Sequence, residues 1–302
     1  MQGNEMEINI MWIADNWADY RLIDSSGGEK LEYWGNVLLR RPEPQAVWSE
    51  KSEKKLWEKT DAWYHRSSSG GGHWQFFNKK LPKSWTVNYR QLTFNIKPMG
   101  FKHTGLFPEQ AVNWDWFSEI ITKSDKPVRI LNLFAYTGGA TVAALAAGAE
   151  VVHVDASKGM VTWAKENVIS SGLGDRPVRY IVDDVVKFVL REARRGRQYD
   201  AIIMDPPSYG RGPGGEVWKI ENELYPLIQN CMKILSPDPL FFLINSYTTG
   251  LSAAILSNIL NYTLVKAYGG EVSSDEIGLP MLSNGMILPC GISGRWKGAK
   301  LC

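Results

Sequence analysis

The stretch VRILNLFAYTGGATVAALAAGAEVVHVD (residues 128–155) decides the fold of this 302-residue chain. Two short apolar runs, VRILNLF (128–134) and EVVHVD (150–155), enclose a glycine-containing turn and an alanine-rich segment. Nearly unbroken apolar runs of this length are typical of strands that are buried on both faces of a parallel sheet. Because the alanine-rich segment favours a helix, the stretch predicts a right-handed strand–helix–strand unit.

The same alternation of strand and helix continues along the chain. A second helical segment, residues 157–172, has Val161, Ala164 and Val168 at spacings of three and four, which places them on one helix face. Further apolar runs predict three more strands: PVRYIVDD (177–184), YDAIIMD (199–205) and PLFFLINS (239–246). Together these elements predict a doubly wound parallel sheet.

Two more strands are predicted near the end of the chain. They are YTLVKAYGG (262–270) and GMILPCGISGRW (285–296), and the polar loop that joins them, residues 271–284, lacks helical periodicity. Such a connection favours antiparallel pairing. The sequence therefore predicts an α/β domain over residues 98–302 with a Rossmann-like sheet of seven strands.

Residues 1–97 predict a smaller, β-rich domain. Period-2 runs such as YRLID (20–24) and WTVNYRQLTFNIK (85–97) alternate with turn signals. This part of the chain is also rich in tryptophan: Trp12, Trp17, Trp34, Trp48, Trp63, Trp74 and Trp85. We interpret it as a sheet that aromatic side chains cover, with rings that either fill a core or stack on unpaired bases.

Composition excludes several classes of protein. The 34 Lys and Arg against 32 Asp and Glu give a formal charge of +2, far from that of a dedicated nucleic-acid coat. No apolar run is long enough for a membrane-spanning helix, and the first residues do not resemble a signal peptide. Three widely spaced cysteines and scattered histidines predict free thiols in the cytoplasm and no metal site. We expect a monomer or a homodimer.

The first candidate site is the turn Phe134–Ala140, where a strand meets a helix. Gly138 and Gly139 leave room for a ligand to approach the backbone amides at the helix N-terminus. The glycines are adjacent, whereas a nicotinamide dinucleotide site would need G-x-G-x-x-G. A tight turn without a ligand is the alternative.

Acidic residues follow the next two predicted strands. Asp155 is placed to accept the hydroxyls of a ribose that lies across the strand ends. Of the pair Asp183 and Asp184, we assign Asp184 to the amine of an adenine and Asp183 to its surroundings. The alternative for both positions is helix capping, for which Asp is well suited.

The most specific signal is Asp205-Pro206-Pro207-Ser208-Tyr209, directly after a predicted strand. Two prolines hold the chain extended and remove two backbone donors. The Asp205 carboxylate and the Pro206 carbonyl are therefore predicted to face a cleft as acceptors. The glycine-rich loop 210–215 that follows is suited to closing over a substrate.

The glycine turn, the acidic strand ends and D-P-P, in this order, resemble the class I S-adenosylmethionine-dependent methyltransferases. Residues 131–149, 154–173 and 203–221 resemble more narrowly the group that contains the large-subunit 23S rRNA cytosine-C5 and guanine-N7 methyltransferases. Residues 101–110 (FKHTGLFPEQ) fit the segment that shapes the cofactor pocket in that group. The resemblance covers residue 100 to the end, and it implies the class I sheet of seven strands with a terminal antiparallel hairpin.

The resemblance also implies roles for individual residues. S-adenosyl-L-methionine would be held by residues at the turn, at the strand ends and in the upstream segment: Phe107, Gln110, Phe134, Tyr136, Thr137, Gly138, Asp155, Ala156, Asp183, Asp184 and Asp205. The methyl-transfer site would consist of Asp205, Pro206 and Tyr209.

Two departures from the group bear on the reaction. Cytosine-C5 enzymes have a cysteine after the fifth strand, where this chain has Leu243–Tyr247 without one. Ser208 also stands where amino-methylating enzymes carry an aromatic residue. We therefore expect methylation of RNA, most plausibly rRNA, at a nitrogen or another non-C5 atom. The rival hypotheses are a catalytically silent methyltransferase fold that binds RNA or a partner, and a nicotinamide-dependent oxidoreductase.

Overall fold

The computed structural model describes residues 11–67, 71–98, 100, 102–211, 217–248 and 250–301. The N-terminal part contains these elements: β1 (Trp12–Ile13), β2 (Tyr20–Ser26), β3 (Glu29–Trp34), β4 (Val37–Pro42), α1 (Lys54–Trp57), β5 (Ala62–Arg66), β6 (Gly72–Phe76), β7 (Trp85–Tyr89) and β8 (Leu92–Ile96). The elements up to the fourth parallel strand follow: α2 (Ala111–Thr122), β9 (Arg129–Leu133), α3 (Gly139–Ala146), β10 (Glu150–Asp155), α4 (Lys158–Ser170), β11 (Val178–Val182), α5 (Val185–Arg194) and β12 (Ala201–Met204). The remaining elements are β13 (Tyr209–Arg211), β14 (Val217–Lys219), α6 (Ile220–Met232), β15 (Phe241–Ser246), α7 (Ala253–Leu260), α8 (Lys266–Tyr268), β16 (Glu271–Pro280) and β17 (Ile287–Lys297).

The central sheet confirms the predicted α/β class. Its strand order is β1-β16-β17-β15-β12-β9-β10-β11, and β15, β12, β9, β10 and β11 are parallel. Strand β17 pairs antiparallel with both β15 and β16. The predicted seven strands are joined by an eighth, because Trp12–Ile13 adds to the open edge of β16 in parallel register.

The position of the second-to-last strand was predicted wrongly. Residues 262–268 continue the helical chain after α7, and the strand is Glu271–Pro280, which was predicted to be a loop. Leu256, Leu260 and Leu264 explain the helix, since their spacing of four puts them on one face, where all three are fully buried. The strand escaped the pattern because its first half is polar and partly exposed.

The helix prediction for residues 157–172 was correct. Helix α4 buries Val161, Ala164 and Val168, which are 7%, 0% and 1% exposed. Helix α6 begins at Ile220, directly after Val217–Lys219, which pairs with Tyr209–Arg211 as a short hairpin. None of the described helices is long and apolar enough to cross a membrane.

The N-terminal part is β-rich, as predicted, and it packs on the central sheet. Strands β2 to β6 form a five-stranded sheet, and residues 85–96 form the hairpin β7–β8, with Arg90 in the left-handed region at its turn. The backbone N–H of Asn95 in β8 donates to Asn167 Oδ1 of α4 at 2.8 Å, and Trp163 Nε1 donates to Asn95 O at 3.0 Å.

The hydrophobic core continues across the predicted boundary at residue 97. A single cluster joins Trp34 and Phe94 of the N-terminal strands to Trp114, Phe117 and Ile130 of the following domain. Most of these side chains are completely shielded from solvent. The two predicted domains therefore share one core.

This shared core predicts the result of removing residues 1–97. The remaining fragment would expose the apolar faces of α2 and β9, so we expect it to aggregate. Soluble yield and size-exclusion chromatography, compared with the full chain at equal concentration, measure the effect. A monodisperse fragment that unfolds cooperatively would contradict the expectation.

Candidate active site

A cavity of about 670 Å³ lies at the carboxyl ends of the parallel strands β9, β10, β11 and β12. Ligands of α/β sheets bind outside this edge, and the volume is ordinary for a small-molecule site. One side of the cavity consists of predicted residues at the strand ends: Phe134, Tyr136, Asp155, Ala156, Asp184, Asp205 and Pro206. Phe107, from the upstream segment, lines it as well.

The turn after β9 is held in an unusual backbone conformation. Phe134 and Tyr136 have φ angles of 53° and 50°, which side-chain-bearing residues rarely adopt. The N–H of Tyr136 donates to Asp155 Oδ2 at 2.9 Å, so the turn and the carboxylate fix each other. Strain of this kind persists only where surrounding contacts impose it, and it is common at functional sites.

The glycines of the turn let it pack closely on neighbouring helices. A Cβ at Gly138 would lie 2.8 Å from Ala164 Cβ, and one at Gly139 would lie 2.7 Å from the Trp114 ring. Gly139 also lines the smaller cavity beside the main one. Gly138, which was predicted to hold the cofactor, lines neither cavity.

Asp155 is half-buried at the wall of the cavity and is held in position. Its Oδ1 accepts from the Ser157 N–H at 2.8 Å, while Oδ2 accepts from Tyr136. Burial raises the pKa of Asp155, and these two hydrogen bonds oppose the shift. Each carboxylate oxygen keeps a lone pair for a further donor.

Asp183 and Asp184 have different surroundings. Asp184 lines the cavity and also caps α5, because its Oδ1 accepts from the Lys187 N–H at 2.8 Å. Asp183 forms an ion pair with Arg191 and accepts from the Asp184 N–H at 2.8 Å. It does not line the cavity, so its contribution is to orient Asp184.

Asp205 lies at the end of β12, between the strand ends and the opposite wall. Burial, followed by the nearby Glu109 carboxyl, raises the pKa of Asp205 to about 7. Pro207 O accepts from Trp218 Nε1 at 2.6 Å, and the Trp218 ring packs on Phe134, with centroids 5.2 Å apart. The β13–β14 hairpin thereby folds over the cavity.

Two predictions concern the residues that follow the prolines. Tyr209, which was predicted to be catalytic, is 51% exposed and lines neither cavity. Residues 212–215 of the predicted closing loop lie outside the described residues, as does Phe101 of the upstream segment.

Gln110 and Thr137 line the smaller cavity beside the main one, together with Phe107, Tyr136 and Asp205. Thr137 Oγ1 donates to Gly105 O, which ties the glycine turn to the upstream segment. The Tyr136 hydroxyl is buried and has no hydrogen-bond partner among the described residues. Because a buried polar group without a partner is costly, this hydroxyl is available to a ligand.

The opposite wall was missed by the sequence analysis. It consists of residues from the N-terminal sheet, the upstream segment and β17: Lys30, Arg41, Glu43, Lys102, Glu109 and Cys290. Lys30 Nζ pairs with Glu43 Oε2 at 3.0 Å, and Arg41 pairs with Glu32. No sequence signal connects strands β3 and β4 to strand ends a hundred residues later. Glu109, however, directly precedes the predicted Gln110.

Cys290 is one of the cysteines that were predicted to be free thiols, and it lines the cavity. Burial, and then the Glu109 carboxyl, raises the pKa of this thiol well above its usual value. Its Sγ lies 3.4 Å from Leu288 O, to which it donates. Both factors keep Cys290 protonated.

Comparison with known proteins agrees with this architecture. The family of S-adenosylmethionine-dependent methyltransferases matches residues 63–237. A crystal structure of an S-adenosylmethionine-dependent methyltransferase from Agrobacterium tumefaciens is 37% identical, with a TM-score of 0.90 over 96% of this chain and 94% of that one. A methyltransferase crystallised with SAH has a TM-score of 0.71 over 93% of this chain and 76% of that one; at 18% identity it shows the fold alone.

Curated relatives include the ribosomal RNA large subunit methyltransferase K/L of Shewanella baltica, which is 31% identical over 146 residues, or 48% of this chain. The chain spans only 20% of the length of that relative. The family match covers more than half of the chain, and the similar bacterial structure is covered almost completely. This chain belongs to the S-adenosylmethionine-dependent methyltransferases.

Proposed function

We propose that this methyltransferase acts on RNA, most plausibly rRNA, and methylates a nitrogen or another non-C5 atom. The observation that carries the proposal is that Asp205 and Pro206 line one cavity together with two sets of residues of different character. One half has the acidic strand ends, and the other has a wall with the cations Lys30, Arg41 and Lys102. The name of the curated rRNA methyltransferase supports RNA as the substrate.

The strand-end half fits S-adenosylmethionine. Asp155 and Asp184 can accept from the ribose and the adenine, and the unpartnered Tyr136 hydroxyl can donate to the methionine part. When bound, the cofactor supplies a methyl group on a positively charged sulfur. The half-buried Asp205 carboxyl, which makes no ion pair within 4 Å among the described residues, favours a cation there.

The basic half suits an anionic substrate such as RNA. Lys30 and Arg41 are balanced by their carboxylate partners, whereas Lys102 has no ion pair within 4 Å in the part of the chain that is described. Burial lowers the pKa of Lys102; Glu43 opposes this shift, and Lys30 and Arg41 add to it. The ammonium group of Lys102 can pair with a phosphate.

The state of the cysteines supports an atom other than C5. Attack on a pyrimidine ring needs a thiolate, and the thiol of Cys290 is held protonated at the cavity wall. Cys231 is completely buried in α6, away from the cavity. Cys302 lies outside the described residues. Family membership excludes the hypothesis of a nicotinamide-dependent oxidoreductase. Measured turnover would exclude the hypothesis of a catalytically silent methyltransferase fold.

The first prediction concerns cofactor affinity. Asp155→Ala should weaken S-adenosylmethionine binding by about 1–3 kcal/mol, since it leaves buried hydroxyls without an acceptor. Isothermal titration calorimetry measures this, with the exposed Asp175→Ala as the matched control. Equal affinity in both variants would remove Asp155 from the site.

The second prediction is a dependence of affinity on pH. Asp205 has a pKa of about 7, so it is a carboxylate above pH 7 and becomes neutral below it. A cationic ligand prefers the carboxylate; affinity for S-adenosylmethionine should therefore fall as pH drops below 7, by up to about tenfold per pH unit.

The demethylated product, whose sulfur is uncharged, should show a weaker dependence on pH. Asp205→Asn should bind S-adenosylmethionine with nearly constant affinity from pH 5.5 to 8.5, a range that brackets the shifted pKa of about 7. A wild-type affinity that does not change over this range would contradict the role of Asp205.

The third prediction tests the reaction itself. With labelled S-adenosylmethionine and rRNA from a strain that lacks the protein, Asp205→Ala should lose at least ~10²-fold in rate. Cys290→Ser, alone or with the other two cysteines replaced, should stay active. Mass spectrometry of the nucleosides identifies the product, and a covalent adduct of Cys290 with 5-fluorocytidine RNA would contradict the assignment to a non-C5 atom.

A further inference from the structure

A chain of buried hydrogen bonds leads from β17 to the cavity wall. Arg295 donates through Nε and Nη2 to Asn113 Oδ1, at 2.9 and 2.6 Å. Asn113 Nδ2 donates to Gln110 Oε1 at 2.9 Å, and Gln110 Nε2 donates to the Tyr247 hydroxyl at 2.7 Å. Each link therefore has its donor on the side of Arg295.

The chemistry of Arg295 fixes this direction. A guanidinium has only donors, so Asn113 must present its oxygen to it and its amide nitrogen to Gln110. Arg295 lies between the rings of Trp12 and Trp116, at 3.6 and 5.1 Å, and it has no carboxylate within 4 Å among the described residues. Burial lowers its pKa to about 9, so it is still a cation at neutral pH.

The chain ends at the Tyr247 hydroxyl, which lines the same cavity as Glu109. Because this hydroxyl accepts from Gln110, its own proton is free to be donated. Burial raises the pKa of the Glu109 carboxyl, and Lys30 and, to a smaller extent, Tyr247 oppose that shift. Fixed amides thus orient a tyrosine hydroxyl near a buried carboxyl at the cavity wall.

Glu109 is an acceptor that the cofactor half does not use. It is 3% exposed, lines the cavity, and has no ion pair within 4 Å in the part of the chain that is described. The charged or titratable groups that act on it are Lys30, Glu43, Asp205, Tyr247 and Cys290. Asp205, at the methyl-transfer edge, is close enough for the two carboxyls to interact.

We propose that Glu109 takes the proton which the acceptor nitrogen loses when it is methylated, an inference that rests on the proposed function. The lone pair of the nitrogen forms the new N–C bond, and the electron pair of the broken S–C bond stays on sulfur. The N–H proton moves to a Glu109 oxygen. The acceptor class is therefore a base nitrogen that carries hydrogen, such as an exocyclic amine.

Chemical rescue tests this role. Glu109→Ala should lower the single-turnover rate of methyl transfer to RNA at least ~10²-fold. Its affinity for S-adenosylmethionine, measured by calorimetry, should change less than about threefold, which is about half of a tenfold (1.4 kcal/mol) step in free energy. Added formate, which fits the vacated space and supplies a carboxylate, should restore much of the rate.

Three further variants complete the experiment. Glu109→Gln fills the space with a group that takes no proton, so formate should not rescue it. Glu109→Asp keeps a carboxylate and should be faster than Glu109→Gln. This comparison also tests the role of Glu109 if the alanine variant does not fold. The matched control is Glu119→Gln, on the exposed face of α2, which should behave like wild type in every assay.

Specific outcomes would overturn the inference. They are an unchanged rate in Glu109→Ala, a loss of rate with a parallel loss of cofactor affinity, or a loss that formate does not restore. A wild-type product methylated on carbon overturns this inference and the proposed function together. A product methylated on a nitrogen without hydrogen, such as N7 of guanine, overturns only the role of Glu109.

Discussion

The parallel register of β9 between β10 and β12 is the constraint on which the site depends. Leu133 pairs with Val154 on one side and with Met204 on the other. The next residue of each strand therefore emerges at the same level, and these residues are Phe134, Asp155 and Asp205. Backbone hydrogen bonds continue just past the pairing, from Ala135 N to Val154 O at 3.1 Å. Shifting one strand by a single residue would turn its carboxylate to the opposite face.

The N-terminal sheet completes the cavity that these strands begin. Its buried pairs Lys30–Glu43 and Arg41–Glu32 contribute little net stability, because desolvation opposes their attraction. These pairs instead fix the positions of the two cations, because each cation at the cavity wall is held by its carboxylate partner. The core shared across residue 97 joins the sheet of this wall to the sheet whose strand ends line the cavity. The substrate half and the cofactor half are thus parts of one packed body.

Tightly packed small residues and oriented amides fix the position of the residues on the other side of the cavity. Gly138 brings the turn against Ala164, and the strained angles of Phe134 and Tyr136 follow from that contact and from the hydrogen bond to Asp155. Beneath the cavity, the cation of Arg295 orients two amides in sequence. Trp12, from the added edge strand, covers that cation, which links the N-terminal part to the site a second time.

Local pattern was enough for the sequence to determine the α/β class, the five parallel strands and the acids at their ends. Apolar runs and helical spacing arise from burial, so buried elements can be recognised from the order of apolar residues. This pattern is weak where half of a strand is exposed, and for that reason Glu271–Pro280 was predicted to be a loop. The sequence could not place Lys30, Arg41, Glu109 or Cys290 at one cavity, because side chains from distant segments meet only when the sheets pack. Only the tertiary structure gives the reason that Asp184, and not Asp183, lines the cavity: Arg191, about two turns along α5, pairs with Asp183.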